Sequence, residues 1–117
     1  MNQTGNAVFS PISGFIDIIL LQIISQEDGY GYSISKTISR ITHDKCEIKE
    51  ATLYAGLRRL EAEKYIASYW GDESQGGRRK YYTLTPEGAD NLLINKAKWE
   101  LTKEIMDEVM SFEGRRN

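Results

Sequence analysis

Leu53, Leu57 and Leu60 recur at intervals of four and three residues and so stack on one face of a helix opening near Glu50. The opposite face holds Ala51, Thr52, Ala55, Arg58 and Arg59, with Tyr54 on its flank. Two β-prone runs follow. Ile66, Ser68 and Trp70 share one parity, and Tyr81, Thr83 and Leu84 return after a polar loop containing Gly76 and Gly77. A hairpin with a long arm is predicted, its tip carrying Arg78, Arg79 and Lys80.

Upstream, residues 1–9 are expected to be loose, and Ser10-Pro11 offers an N-cap followed by a proline in the first helical position. The first helix then runs to about Ser25, and its apolar residues, from Ile12 and Phe15 to Ile24, cover most of its circumference. One neighbouring face cannot bury them all. A turn at Glu27–Gly31 leads to a second helix over about Tyr32–Ile41, with Ile34, Ile38 and Ile41 inward and Lys36 and Arg40 outward. A short strand at Cys46–Ile48 is expected to add a third strand to the hairpin.

The last helix should start at Pro86, capped by Thr85, and reach about Phe112. It is two-sided. Ile94, Leu101, Ile105, Val109 and Phe112 form one seam, and Leu92, Trp99, Met106 and Met110 another, roughly 140° away at 100° per residue. A chain of this size has no second core, so one seam is assigned to the first helix and the other to a partner subunit. Phe15, Ile19, Trp99, Met106 and Met110 are the expected dimer contacts. The fold class is therefore mainly α with a small β wing (α+β): a winged helix-turn-helix over residues 10–85, and a C-terminal dimerisation helix over 86–113 that packs with helix 12–25.

Composition refines this picture. The 117 residues carry a formal charge of −2, yet residues 36–80 hold ten Lys and Arg against seven Asp and Glu, and both flanks are acidic. A basic centre between acidic ends suits a defined double-stranded DNA site better than indiscriminate coating of polyanions. Small residues let the start of the 50s helix approach base edges, where Thr52 can meet a thymine methyl and Arg58 or Arg59 guanine or phosphate. Gly77, Arg78, Arg79 and Lys80 are expected at the DNA backbone, with Tyr54, Tyr32 and Lys36 making sugar or phosphate contacts.

Other chemistry finds little support. Cys46 is the single cysteine and His43 the single histidine, so neither an intrachain disulfide nor a thiolate metal cluster can form, and no cofactor is expected. Ile16–Ile24 is too short to span a bilayer and is interrupted by Asp17 and Gln22. A cytoplasmic protein without enzymatic activity is the expectation. Gly76-Gly77 lacks any phosphate-loop pattern, and Glu61, Glu63, Glu104 and Glu108 read as solvated charges on outward faces.

The segments ATLYAGLRRLEAEKYI, GGRRKYY and LTPEG together resemble the PadR-type winged-helix transcriptional regulators, in particular the small subgroup with one C-terminal dimerisation helix that includes multidrug-sensing repressors. The resemblance covers nearly the whole chain. It implies a homodimeric repressor on a pseudo-palindromic operator of a multidrug efflux gene, released when a planar, hydrophobic inducer binds at the dimer interface. It also implies that Trp99 and its symmetry mate sandwich that compound, with Gly14, Asp17, Ile18, Asn91, Leu92, Asn95, Lys96 and Lys103 lining the pocket. The multidrug sensors carry a phenylalanine and an acid where this chain has Lys96 and Lys103, which predicts a weaker preference for lipophilic cations. Two alternatives stay open: a regulator of the same fold that senses phenolic acids or nothing, with Trp99 as interface filling, and a module whose wing binds a protein.

Overall fold

The computed structural model describes residues 13–71 and 77–116. The expected loose start at 1–9, the Ser10-Pro11 cap, Ile12 and Gly76 lie outside the described residues. The chain runs α1 (Ser13–Gln26), β1 (Gly29–Tyr30), α2 (Gly31–Ile41), α3 (Glu50–Ala62), β2 (Ile66–Trp70), β3 (Lys80–Leu84) and α4 (Pro86–Met110). Its three strands form one antiparallel sheet in the order β1-β3-β2.

The core is built around α1. Ile16, Leu20, Leu21 and Ile24 meet Ile34 and Ile38 of α2, Leu53, Leu57 and Leu60 of α3, Ile66 and Tyr82 of the sheet, and Leu92 of α4. Periodicity placed the three α3 leucines correctly, and α3 ends where Lys64 takes a left-handed φ of 68°. The Tyr65 N–H then bonds back to the Leu60 carbonyl at 3.0 Å, satisfying an end carbonyl of the helix.

Helix α4 starts as its sequence dictates. The Thr85 side chain accepts from the Gly88 N–H at 2.9 Å, and Pro86 occupies the first turn. Gly88 is required by close approach, since a Cβ there would stand 1.9 Å from the Tyr65 carbonyl oxygen.

Three expectations are corrected. The third strand is not Cys46–Ile48, where only a single-residue bridge forms at Cys46; it is β1, inside the segment read as a turn. Cys46 and Ile48 alternate inward because they fill the core, while the free edge of β3 is taken by Tyr30 opposite Tyr81. Ile41 is 52 % exposed rather than inward, because the last turn of α2 runs past the core. Helix α4 ends at Met110, short of Phe112, and its first seam does not lie on α1. Leu92 and Trp99 face α1, whereas Ile94, Leu101, Ile105, Val109 and Phe112 are all exposed. Every residue from Lys96 to Arg116 is exposed, so the distal half of a helix of roughly 37 Å projects from the domain.

Candidate nucleic-acid interface and apolar groove

The outer face of α3 is Ala51, Thr52, Ala55, Arg58 and Arg59, all exposed, while Leu53, Gly56, Leu57 and Leu60 are buried. The two arginines differ. Arg58 faces solvent, but Arg59 is ion-paired and hydrogen-bonded to Asp17 of α1, and this bond raises its pKa. Tyr54, expected on the DNA flank, is half-buried: its hydroxyl lies over Gly31, where a Cβ would come within 2.0 Å of it. Its ring packs against the core, so its reach outward is limited.

The wing cations do not share one surface. Cross-strand register pairs Trp70 with Lys80 and Tyr69 with Tyr81, so alternation sends Arg78 and Lys80 to the face of the buried Tyr82 and Arg79 to the other. The Arg78 guanidinium lies 4.8 Å from the Trp70 ring. Lys80 Nζ stands 3.7 Å from a Glu61 carboxylate oxygen and 5.8 Å from the Tyr82 ring. Glu61 is therefore not a merely solvated charge, since it also accepts from Ser68 Oγ at 2.5 Å. Gly77 adopts a φ of +104°, a backbone region that favours glycine.

On the opposite face, Arg79 lies 4.7 Å from the Tyr30 ring, and Lys36 Nζ 5.7 Å from the exposed Tyr32. Tyr69 donates to Asp28 at 2.6 Å, which raises its pKa, and burial does the same for Tyr82 and Cys46. Exposed cation–aromatic contacts of this kind contribute about 0.5–1 kcal/mol each, enough to orient a side chain without neutralising it.

A second feature is an open apolar groove of about 590 Å³ between α1, α2, the segment after α2, and α4. Of the residues expected to bind a ligand, Ile18, Lys96 and Trp99 line it. The others are elsewhere. Leu92 is buried in the core, Asp17 is engaged by Arg59, and Gly14 faces open space. Asn95 donates to the carbonyl and side-chain oxygens of Asn91, at 2.9 and 2.8 Å. Lys103 sits outside the groove, 3.2 Å from Glu100 and 5.8 Å from the Trp99 ring.

Of the expected dimer contacts, Phe15 and Ile19 line the groove, and Phe15 meets Trp99 edge-on at 5.8 Å and 86°. Met106 and Met110 are exposed on the projecting half of α4.

The sequence reading missed Gln22, Ile23, Ile41, Cys46 and Glu100 in the groove lining. Glu100 sets an acid beside Trp99, but it is ion-paired with Lys103, so with Lys96 the groove end near Trp99 holds two cations against one acid. Gln22 was visible as a polar break in the α1 apolar run; its Oε1 is buried and meets no hydrogen-bond partner among the described residues. Also among the described residues, no group of His, Cys, Asp and Glu could hold a metal ion, and no helix is long and apolar enough to cross a membrane.

Comparison with known proteins converges on one kind of molecule. Residues 20–93 match the model of the transcriptional regulator PadR-like family. An uncharacterized protein of Lysinibacillus sphaericus is 46 % identical over 99 residues, covering 85 % of this chain and 91 % of that one. The structure is similar to that of a transcriptional regulator from Clostridium thermocellum, with a TM-score of 0.76, 43 % identity, and 81 % of this chain and 89 % of that one covered. It is also similar to a PadR family transcription regulator from Clostridium difficile, with a TM-score of 0.73, 42 % identity, and 84 % and 100 % covered.

Proposed function

Because the chain belongs to the PadR-like family of transcriptional regulators, we propose that it acts as a homodimeric repressor on a pseudo-palindromic operator, controls a multidrug efflux gene, and is released by planar aromatic compounds at the dimer interface. The observation that carries the dimer is complementarity within one chain. The projecting half of α4 exposes Leu101, Ile105, Met106, Val109 and Met110, while the groove edged by Phe15, Ile19 and Ile41 stands open. Burying each such side chain contributes about 1.5–3 kcal/mol, so a few of them supply the surplus that association requires.

DNA binding follows from the face of α3. Its small residues permit close approach to base edges, Arg58 supplies reach, Tyr32 and Lys36 offer a ring and a cation beside it, and Arg79 adds a cation on the same side as these two. Two copies related by a two-fold axis would meet half-sites about 34 Å apart. Repression follows because a bound dimer excludes polymerase. Release follows if a compound favours a dimer whose α3 helices are mis-spaced.

The ligand reading rests on the resemblance to multidrug sensors and on Trp99, which is 40 % exposed beside the groove. With Glu100 paired to Lys103 and Lys96 also in the lining, the surroundings of Trp99 carry a net positive charge, which suits neutral or anionic planar compounds better than cations. A second reading is favoured by the edge contact of Trp99 with Phe15: the partner's α4 fills the groove, and the regulator takes no small molecule. Titration of Trp99 fluorescence in a Trp70→Phe background with planar aromatics of either charge separates the two. Saturable quenching with loss of operator binding supports the sensor; a flat response in a dimer that still binds its operator supports the filled groove.

A further inference from the structure

The outer face of the wing carries a row of tyrosines. Register places Tyr30 of β1 opposite Tyr81 of β3, and Tyr81 opposite Tyr69 of β2, so three rings form one rung across the sheet. Their centroids are 5.3 Å apart between Tyr30 and Tyr81 and 5.6 Å between Tyr81 and Tyr69, the latter pair stacked at 14°. Tyr69 then reaches past the central strand. Its hydroxyl bonds Asp28, which immediately precedes β1 on the far edge of the sheet, at 2.6 Å. Neighbouring strands lie about 4.8 Å apart, so the bond ties together edges about 10 Å from each other, a span a tyrosine can make and a shorter hydroxyl cannot.

This strap ties the wing to the helix-turn-helix. Tyr30 is the N-cap residue of α2, and its N–H is held by Ser33 Oγ at 2.9 Å. The same Tyr30 ring carries Arg79. We infer that Asp28, Tyr30 and Tyr69 are positioning residues for DNA binding: they fix the twist of the β2–β3 hairpin against α2 and hold Arg79 where it meets a phosphate beside Tyr32 and Lys36. None of the three needs to touch DNA. The inference rests on DNA binding through α3 and the wing, and is independent of any ligand in the groove.

The test uses the full chain and a duplex selected by the wild-type protein from a random-sequence pool, so wild-type binding checks the underlying reading within the same titration. Tyr69→Phe removes one hydroxyl and keeps the ring; Asp28→Ala removes the acceptor, and Asp28→Asn keeps an oxygen in place. Tyr69→Phe and Asp28→Ala should each weaken binding about fivefold, and each should lower the slope of log affinity against log salt by about 0.9, the value of one phosphate contact. The double variant should be no weaker than either single one, and Asp28→Asn should restore most of the affinity. Wild-type affinity and slope in both single variants would overturn the inference. So would a lowered Tm with an unchanged slope, since that is what a merely structural role produces, and so would additive losses in the double variant.

Discussion

Helix α3 and the distal half of α4 both leave a broad face to solvent, and the chemistry of the two faces differs. From Ala51 to Arg59 the exposed residues of α3 are small or cationic, with Glu50 an exposed acid in the first turn and the leucines turned to the core. On α4 beyond Trp99 the outward residues include Leu101, Ile105, Met106, Val109 and Met110, and none of them joins the core of the described residues. A face of the first kind is stable in water alone and ready for a polyanion; one of the second kind is stable only when covered by apolar surface. On the proposed reading the first face meets DNA and the second a copy of the same chain.

The comparison is broken most forcefully at α4. Leu101→Asp combined with Ile105→Asp should cost about 3 kcal/mol or more of association, a hundredfold or greater rise in the dimer dissociation constant by analytical ultracentrifugation, while the monomer keeps its helical circular dichroism. An unchanged sedimentation coefficient would show that this face is not the contact. At the root of the same helix, Gly88→Ala should lower stability by about 3 kcal/mol in urea denaturation, despite the better helix propensity of alanine, because the new Cβ meets the Tyr65 carbonyl.

The α3 face is sharpened by its two arginines. Arg58→Ala should weaken duplex binding about tenfold and lower the salt slope by about 0.9. Asp17→Asn should do the opposite, strengthening binding about threefold by releasing Arg59 from its exposed ion pair, which is itself worth about 1 kcal/mol or less. Equal losses from Arg58→Ala and Asp17→Asn would mean that the pair with Asp17 holds Arg59 in its DNA-reading position. At the end of α3, Lys64→Gly relieves a left-handed backbone and should stabilise by about 1 kcal/mol, read as a rise in Tm.

Local periodicity made α3, the two wing strands and the start of α4 legible, because leucine spacing, strand parity and a Thr-Pro cap are written within a few residues. What stayed hidden depends on contacts distant in the chain. β1 is two residues long, too short to show alternation, and exists only because Tyr30 reaches Tyr81. Leu92 shares a helical face with Trp99, yet the core closes between them, burying one and leaving the other beside the groove. Glu61 and Arg59 look solvated on a helical wheel, but Lys80 and Asp17 approach them from other elements. The split of the wing cations between two faces follows from the strand parity.

The central claim is that two copies read DNA together, through α3 and the wing, held by α4. The measurement that tests it most directly is sedimentation of the chain with its selected duplex, alone and as the Leu101→Asp, Ile105→Asp variant, across a series of salt concentrations. The account predicts two chains per duplex for the wild type, affinity falling steeply with salt, and loss of the two-chain complex in the variant. One chain per duplex for the wild type, or a two-chain complex unaffected by the α4 substitutions, would contradict it.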